Sequence, residues 1–189
     1  MLLPFLAWVA TGIFFFFKPG YQAAYQPLSI KLYPVKQIIT LPEQHSWLEV
    51  RQLTTVLGPH LLVRDQSGWQ QLDVDTFEPR TEPTNEQLTR LISQAISDDQ
   101  ERYGEIIKLE NSVAETSTGV KITFNWRQMT LRQRGVDTEL INTLYDIHYL
   151  RWTGHKLIDQ YLGVIGLLCV AILALIGTWM SIKRAKTFS

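Results

Sequence analysis

Four histidines, one cysteine and a few grouped carboxylates are the side chains of this sequence that could do chemistry. His148 and His155 stand seven residues apart. On an unbroken helix that spacing is two turns, about 10 Å along one face. It is too long for one metal ion and lacks the close ligand spacing of a helical zinc site. Each could ligate a cofactor supplied by another chain. With Trp152 and Lys156 beside them, they otherwise read as an anchor at a membrane interface. His45 and His60 flank a predicted helix and read as loop residues. Asp73, Asp75 and Glu78 could collect a divalent cation, but the set lacks the glycine and further ligands of a calcium loop, so a solvated strand face is the reading. The lone Cys169 excludes an intrachain disulfide and Cys-rich metal sites. No Gly-x-Ser-x-Gly elbow, phosphate-binding glycine loop or dinucleotide fingerprint occurs, so nothing supports nucleophilic or phosphoryl chemistry.

The elements that would position these groups are dominated by two apolar segments. Residues 160–182 carry no charged side chain, and Lys183, Arg184 and Lys186 follow at once. A helix of that length spans about 34 Å, enough for a hydrocarbon core of roughly 30 Å. The basic cluster predicts a cytoplasmic C-terminus. Residues 1–17 are also apolar and lack the basic start of a signal peptide, while Tyr21 occupies the place where cleavage after Ala23 would want a small residue. The expectation is an uncleaved first span, with both termini in the cytoplasm and the middle outside it, which in a bacterium is the periplasm. The segment 18–159 holds 15 basic and 18 acidic residues, a net charge of −3, which leaves no electrostatic footprint for nucleic acid.

Along the middle segment, 28–33 reads as a short strand. Ser46-Trp47-Leu48-Glu49 fits a capping box opening a helix with Leu48, Leu53, Val56 and Leu57 near one face. Residues 61–64 and 69–74 flank Gln66-Ser67-Gly68 as a hairpin. Thr84-Asn85-Glu86-Gln87 is a second capping box, before the helical stripe Leu88, Leu91, Ile92, Ala95 and Ile96. Two strand-like runs, 106–113 and 120–126, surround Thr118-Gly119, and 129–134 extends the sheet. A third helix begins at Asp137, with Gly154 as a bend before the membrane. The predicted fold class is α+β: two helix–hairpin repeats between two transmembrane helices. The predicted organisation is 1–17 first span, 18–136 extracytoplasmic module, 137–159 juxtamembrane helix, 160–182 second span and 183–189 basic tail.

Short motifs suggest a family. Leu144-Tyr145-Asp146-Ile147-His148-Tyr149-Leu150 through Gly154-His155-Lys156, followed by the span ending Gly177-Thr178-Trp179, resembles the C-terminal membrane segment of PepSY-associated membrane proteins. Ala10-Thr11-Gly12-Ile13 leading into Lys18-Pro19-Gly20-Tyr21 resembles their first helix, and Gln70-Gln71-Leu72-Asp73-Val74-Asp75-Thr76-Phe77 their strand with an Asp-rich turn. The resemblance implies PepSY-like α+β modules held outside the cytoplasm. Some larger members are similar to iron-siderophore or flavin-linked reductases that carry haem, and other PepSY modules restrain peptidases. With two spans and no histidine in either, this chain departs from the haem-bearing core.

The functional expectation is a non-catalytic protein that binds or regulates a protein partner at the periplasmic face, as an accessory subunit of a membrane complex. Its partners would be membrane lipid and a membrane or periplasmic protein, not nucleic acid. Trp69, Trp126 and Arg127 are the expected anchors, on the sheet face opposite the helices, since Trp and Arg dominate interface energetics. Gly163, Gly166, Ala174 and Gly177 form a small-residue stripe that packs either on the first span or on a larger complex. The alternatives are a component of iron or haem reduction, with His148 and His155 meeting a shared haem, and a peptidase regulator.

Overall fold

Strand pairing, rather than helical spacing, organises residues 49–72. The computed structural model describes residues 2–36, 38–41, 46–151 and 153–187. His45 and Trp152 lie outside them. In chain order the elements are α1 (Leu2–Phe17), α2 (Tyr21–Tyr25), β1 (Glu49–Thr55), β2 (Gly58–Asp65), β3 (Gly68–Leu72), α3 (Asn85–Ile96), α4 (Gln100–Tyr103), β4 (Ile106–Glu110), β5 (Val113–Thr116), β6 (Lys121–Asn125), β7 (Thr130–Arg134), α5 (Val136–His148) and α6 (Lys156–Thr187). They fall into two compact units, one of Gln22–Asp137 and one of Met1–Tyr21 with Thr138–Ser189.

The unit Gln22–Asp137 contains two antiparallel meanders, β1-β2-β3 and β4-β5-β6-β7. The central strand β2 is buried on both faces. Leu62 packs into the main core with Leu88, Leu91, Ile92, Ile122, Phe124 and Leu131. Leu61 and Val63 point the other way, against Leu72, Val50, Trp47 and Phe77. In β6 only Ile122 and Phe124 are buried, while Lys121, Thr123 and Asn125 are exposed, so the larger sheet keeps one wet face. Helix α3 buries its Leu88, Leu91, Ile92 and Ile96 stripe, and its capping box forms as the sequence indicates. The Gln87 N–H donates to Thr84 Oγ1 at 3.3 Å, and the Thr84 N–H donates to Gln87 Oε1 at 3.0 Å.

This architecture overturns the expected pair of helix–hairpin repeats. The segment expected as the first helix is strand β1. Its apolar residues serve opposite faces, Leu53 toward the main core and Val50 toward the smaller cluster, as period-2 geometry requires. Glu49 does not return to cap Ser46, because its carboxylate binds Arg51 at 2.7 Å and Arg64 at 3.2 Å. The run 106–113 is also not one strand. Asn111 and Ser112, at φ 48° and 61°, make a two-residue turn between Glu110 and Val113. In place of a second two-stranded hairpin there is a four-stranded sheet. Residues 28–33 contribute only an isolated bridge from Tyr33 to Thr54.

The two expected transmembrane helices are likewise corrected. Helix α1 has 16 residues, about 24 Å of helix, short of a roughly 30 Å hydrocarbon core. Among the described residues, α6 is the one helix long and apolar enough to cross a membrane, over Lys156–Arg184. It runs on through the expected tail to Thr187. The juxtamembrane helix does not bend into it. Helix α5 stops at His148, and Leu150 and Gly154, at φ 56° and 71°, reverse the chain before α6.

The buried pattern predicts a sharp contrast between two isoleucines, Ile122 at 0% exposure and Ile107 at 65%. Urea unfolding of the full chain in detergent, followed by tryptophan fluorescence, should show Ile122→Ala losing about 3 kcal/mol. Ile107→Ala should change stability by less than about 0.5 kcal/mol. Similar losses for the two would contradict the sheet-face assignment.

Candidate functional site

The residues expected as partner anchors occupy three different environments. Trp126 closes β6 and is 8% exposed, a core residue packed with Phe124 and Met129. Its ring meets the edge of His60 at 5.7 Å, and the Arg80 guanidinium lies 5.8 Å from its centroid. Arg127, the next residue, is exposed on the β6–β7 turn. Trp69 lies on β3, half-buried against the core, beneath Arg51 at 4.6 Å and Arg64 at 5.8 Å. Register puts Glu49, Arg51, Arg64 and Trp69 on one face of the smaller sheet. The Arg51 hydrogen bond holds the Glu49 carboxyl below the usual glutamate range. This cation–aromatic cluster is half-open to solvent, whereas Trp126 offers a partner almost no side-chain area.

The group that ties the two sheets together is His60, which is in strand β2 and fully buried rather than in a loop. Nε2 lies 2.8 Å from Thr55 Oγ1, and Nδ1 lies 2.9 Å from Gln71 Oε1. Gln71 Nε2 donates to the carbonyl of Trp126, which can only accept, so the amide orientation is determined. Gln71 Oε1 therefore faces the ring, and the proton sits on His60 Nδ1. Thr55 then donates to Nε2 while its oxygen accepts from the Leu57 N–H at 3.1 Å. Arg80 seals the edge, donating to the Pro59 carbonyl at 2.6 Å, with Nη1 3.3 Å from His60 Nδ1. Burial, helped by the Arg80 charge, pulls the imidazole down to about 4 against the opposing effect of the Gln71 hydrogen bond. The continuous apolar run Leu61-Leu62-Val63 beside it was the available sequence signal.

In the other unit His148 is built into an aromatic cluster. The Trp8 Nε1–H donates to the His148 carbonyl at 2.9 Å, and the two rings stack at 5.5 Å. Thr11 Oγ1 and His148 Nδ1 share a 2.9 Å hydrogen bond. Phe15 and Tyr149 meet the imidazole edge-on at 5.3 and 5.4 Å, and Gly12 leaves room beside Cε1. His155 is exposed, beyond the reversal at Gly154. His148 ends α5 and His155 lies in the connection before α6, so the shared helical face expected of them does not exist. Thr153 closes that reversal, donating through its N–H and hydroxyl to Asp159 Oδ1 at 3.0 and 2.8 Å.

Half of the small-residue stripe has a visible use. A Cβ on Gly166 would approach Leu150 Cδ1 to 2.7 Å, and one on Gly163 would lie 3.8 Å from the Tyr149 carbonyl. Gly177 has open space around it, and Ala174 is exposed. Asp73 and Asp75 are not on a strand face, since β3 ends at Leu72. Asp73 Oδ1 accepts from the N–H groups of Asp75 and Thr76 at 3.0 Å each, which organises a turn. Among the described residues no group of three or more His, Cys, Asp or Glu could hold a metal ion.

No family model, curated protein or solved structure matches this chain. The PepSY resemblance therefore rests on its short motifs alone, and function must be argued from the geometry.

The sign of the His60 effect follows from its direction of shift. The native imidazole titrates near 4 and the unfolded one near 6.5, so its contribution is fully present above pH 6.5 and is lost as pH falls toward 4. The loss amounts to about 3 kcal/mol. Proton-detected NMR of histidine side chains should show His60 neutral at pH 5.5, with its proton on Nδ1. An imidazolium at that pH would contradict the buried network.

Proposed function

We propose that this chain is a membrane-anchored, non-catalytic binding protein whose α+β unit engages a protein partner outside the cytoplasm. The observation that carries the reading is α6, 29 residues of apolar helix with none of its most apolar window buried inside the protein. Such a surface is stable in hydrocarbon and not in water. Lys183 and Arg184 end it, and Lys183 lies 5.3 Å from the Trp179 ring, the aromatic and basic pairing of a membrane interface. Basic residues on the cytoplasmic side orient α6, which directs Gln22–Asp137 to the opposite side, the periplasm in a bacterium.

An anchor of this kind raises the effective concentration of the α+β unit near a membrane partner. That favours an accessory subunit or a regulator over an enzyme acting on diffusing substrates. The half-open Arg51–Trp69–Arg64 stack and the exposed Arg127 supply the side-chain types that anchor interfaces.

The orientation is testable in a Cys169→Ala background. In intact spheroplasts a membrane-impermeant maleimide should label Ser67→Cys in the β2–β3 turn. Ser189→Cys should be labelled only after lysis, and the chain should resist alkaline extraction. Labelling of Ser189→Cys in intact cells, or release by alkali, would overturn the anchored orientation.

A further inference from the structure

The cations of the α+β unit are unevenly placed. From Thr116 to Val136 the sequence carries Lys121, Arg127, Arg132 and Arg134 and no carboxylate, in a unit of 12 basic and 15 acidic residues. The β6–β7 register pairs Lys121 with Arg134, Thr123 with Arg132 and Asn125 with Thr130. All six are exposed, on the face opposite buried Ile122, Phe124 and Leu131. Like charges set directly across a ladder repel. Glu115 lies beside Lys121 on the other flank, and Lys108 is engaged with Glu110 at 3.0 Å. Among the described residues Lys121, Arg127 and Arg132 have no ion-pair partner. Folding does not require this concentration of charge on one hairpin.

The chemistry of the face selects its occupant. Adjacent strands lie about 4.8 Å apart and same-face residues about 6.8 Å apart along a strand, so the cations form a flat, fixed grid. Threonine and asparagine hydroxyl and amide groups lie between them. The six residues include no aromatic ring on which a base could stack and no apolar side chain to enter a bilayer. A rigid grid of guanidinium and ammonium groups interleaved with hydrogen-bonding side chains matches carboxylates held by a folded or extending polypeptide.

We propose that the exposed face of β6–β7, with Arg127 at its turn, docks an acidic segment of the protein partner. This rests on the binding-protein reading above. The test is a photo-crosslinking amino acid placed at Thr123, and separately at exposed Ser93 on α3, in the full-length chain in native membranes. The expected result is a Thr123 adduct to a carboxylate-rich peptide of another protein. Its yield should fall about tenfold in a Lys121→Glu, Arg132→Glu double variant and by less in the corresponding Gln variant. Circular dichroism checks that both variants fold. A Thr123 adduct to lipid, to a second copy of the chain or to a peptide without acidic residues overturns the proposal, as does a yield indifferent to charge reversal. A protein adduct at Ser93 with none at Thr123 overturns this face while leaving the binding-protein reading intact. No protein adduct at either position counts against both.

Discussion

His60 has two ring nitrogens, no exposure to water and, among the described residues, Thr55 and Gln71 to satisfy them. A buried polar group without partners costs more than most single packing contacts supply. The neutral Nδ1–H form meets that condition, and meeting it constrains much else. It orients the Gln71 amide, which then grips the Trp126 carbonyl and so ties the three-stranded sheet to the turn that ends β6. That carbonyl also accepts from the Met129 N–H, at 3.3 Å, within the same turn. The main core, with Leu62 on one sheet and Ile122 and Phe124 on the other, forms around this fixed relation. Charging the imidazole would set a second cation beside Arg80.

Local signals were legible where nothing competed with them. Thr84 and Gln87 cap α3 because, among the described residues, no other group claims either side chain, and the stripe behind them has one face to bury. Asp65 accepts from the Ser67 and Gly68 N–H groups, so the turn at Gln66-Ser67 was readable as a hairpin. Ser46-Trp47-Leu48-Glu49 carried the same capping pattern and misled, because the Glu49 carboxylate is claimed by two arginines, one of them fifteen residues away. A tertiary ion pair of that kind is invisible in a short window. The turn at Asn111-Ser112 depends on two consecutive positive φ angles, which asparagine tolerates but does not announce. His60 was misread for a related reason, since a histidine after Gly-Pro looks like loop until its neighbours on both flanking strands are known.

The membrane reading divides in the same way. Composition alone marks α6, whereas α1 has the composition of a span without its length. Helix α1 instead supplies Trp8, Thr11 and Phe15 to a cluster around His148, one of the two histidines expected at a membrane interface or on another chain's cofactor. The break between α5 and α6 runs from His148 to His155, and Gly166 of the small-residue stripe lies close against Leu150 within it. The outward-facing side chains of the α+β unit include the charged β6–β7 face and exposed apolar residues such as Ile38, Leu48 and Ile107.

On the proposed function, this chain works bound to another protein. Native mass spectrometry of the full-length chain, extracted in mild detergent from its own membranes, tests it most directly. The expected result is a dominant species heavier than the 21.8 kDa chain by the mass of a different protein in fixed stoichiometry. A dominant species at the mass of the chain alone, or at whole multiples of it, would contradict the claim.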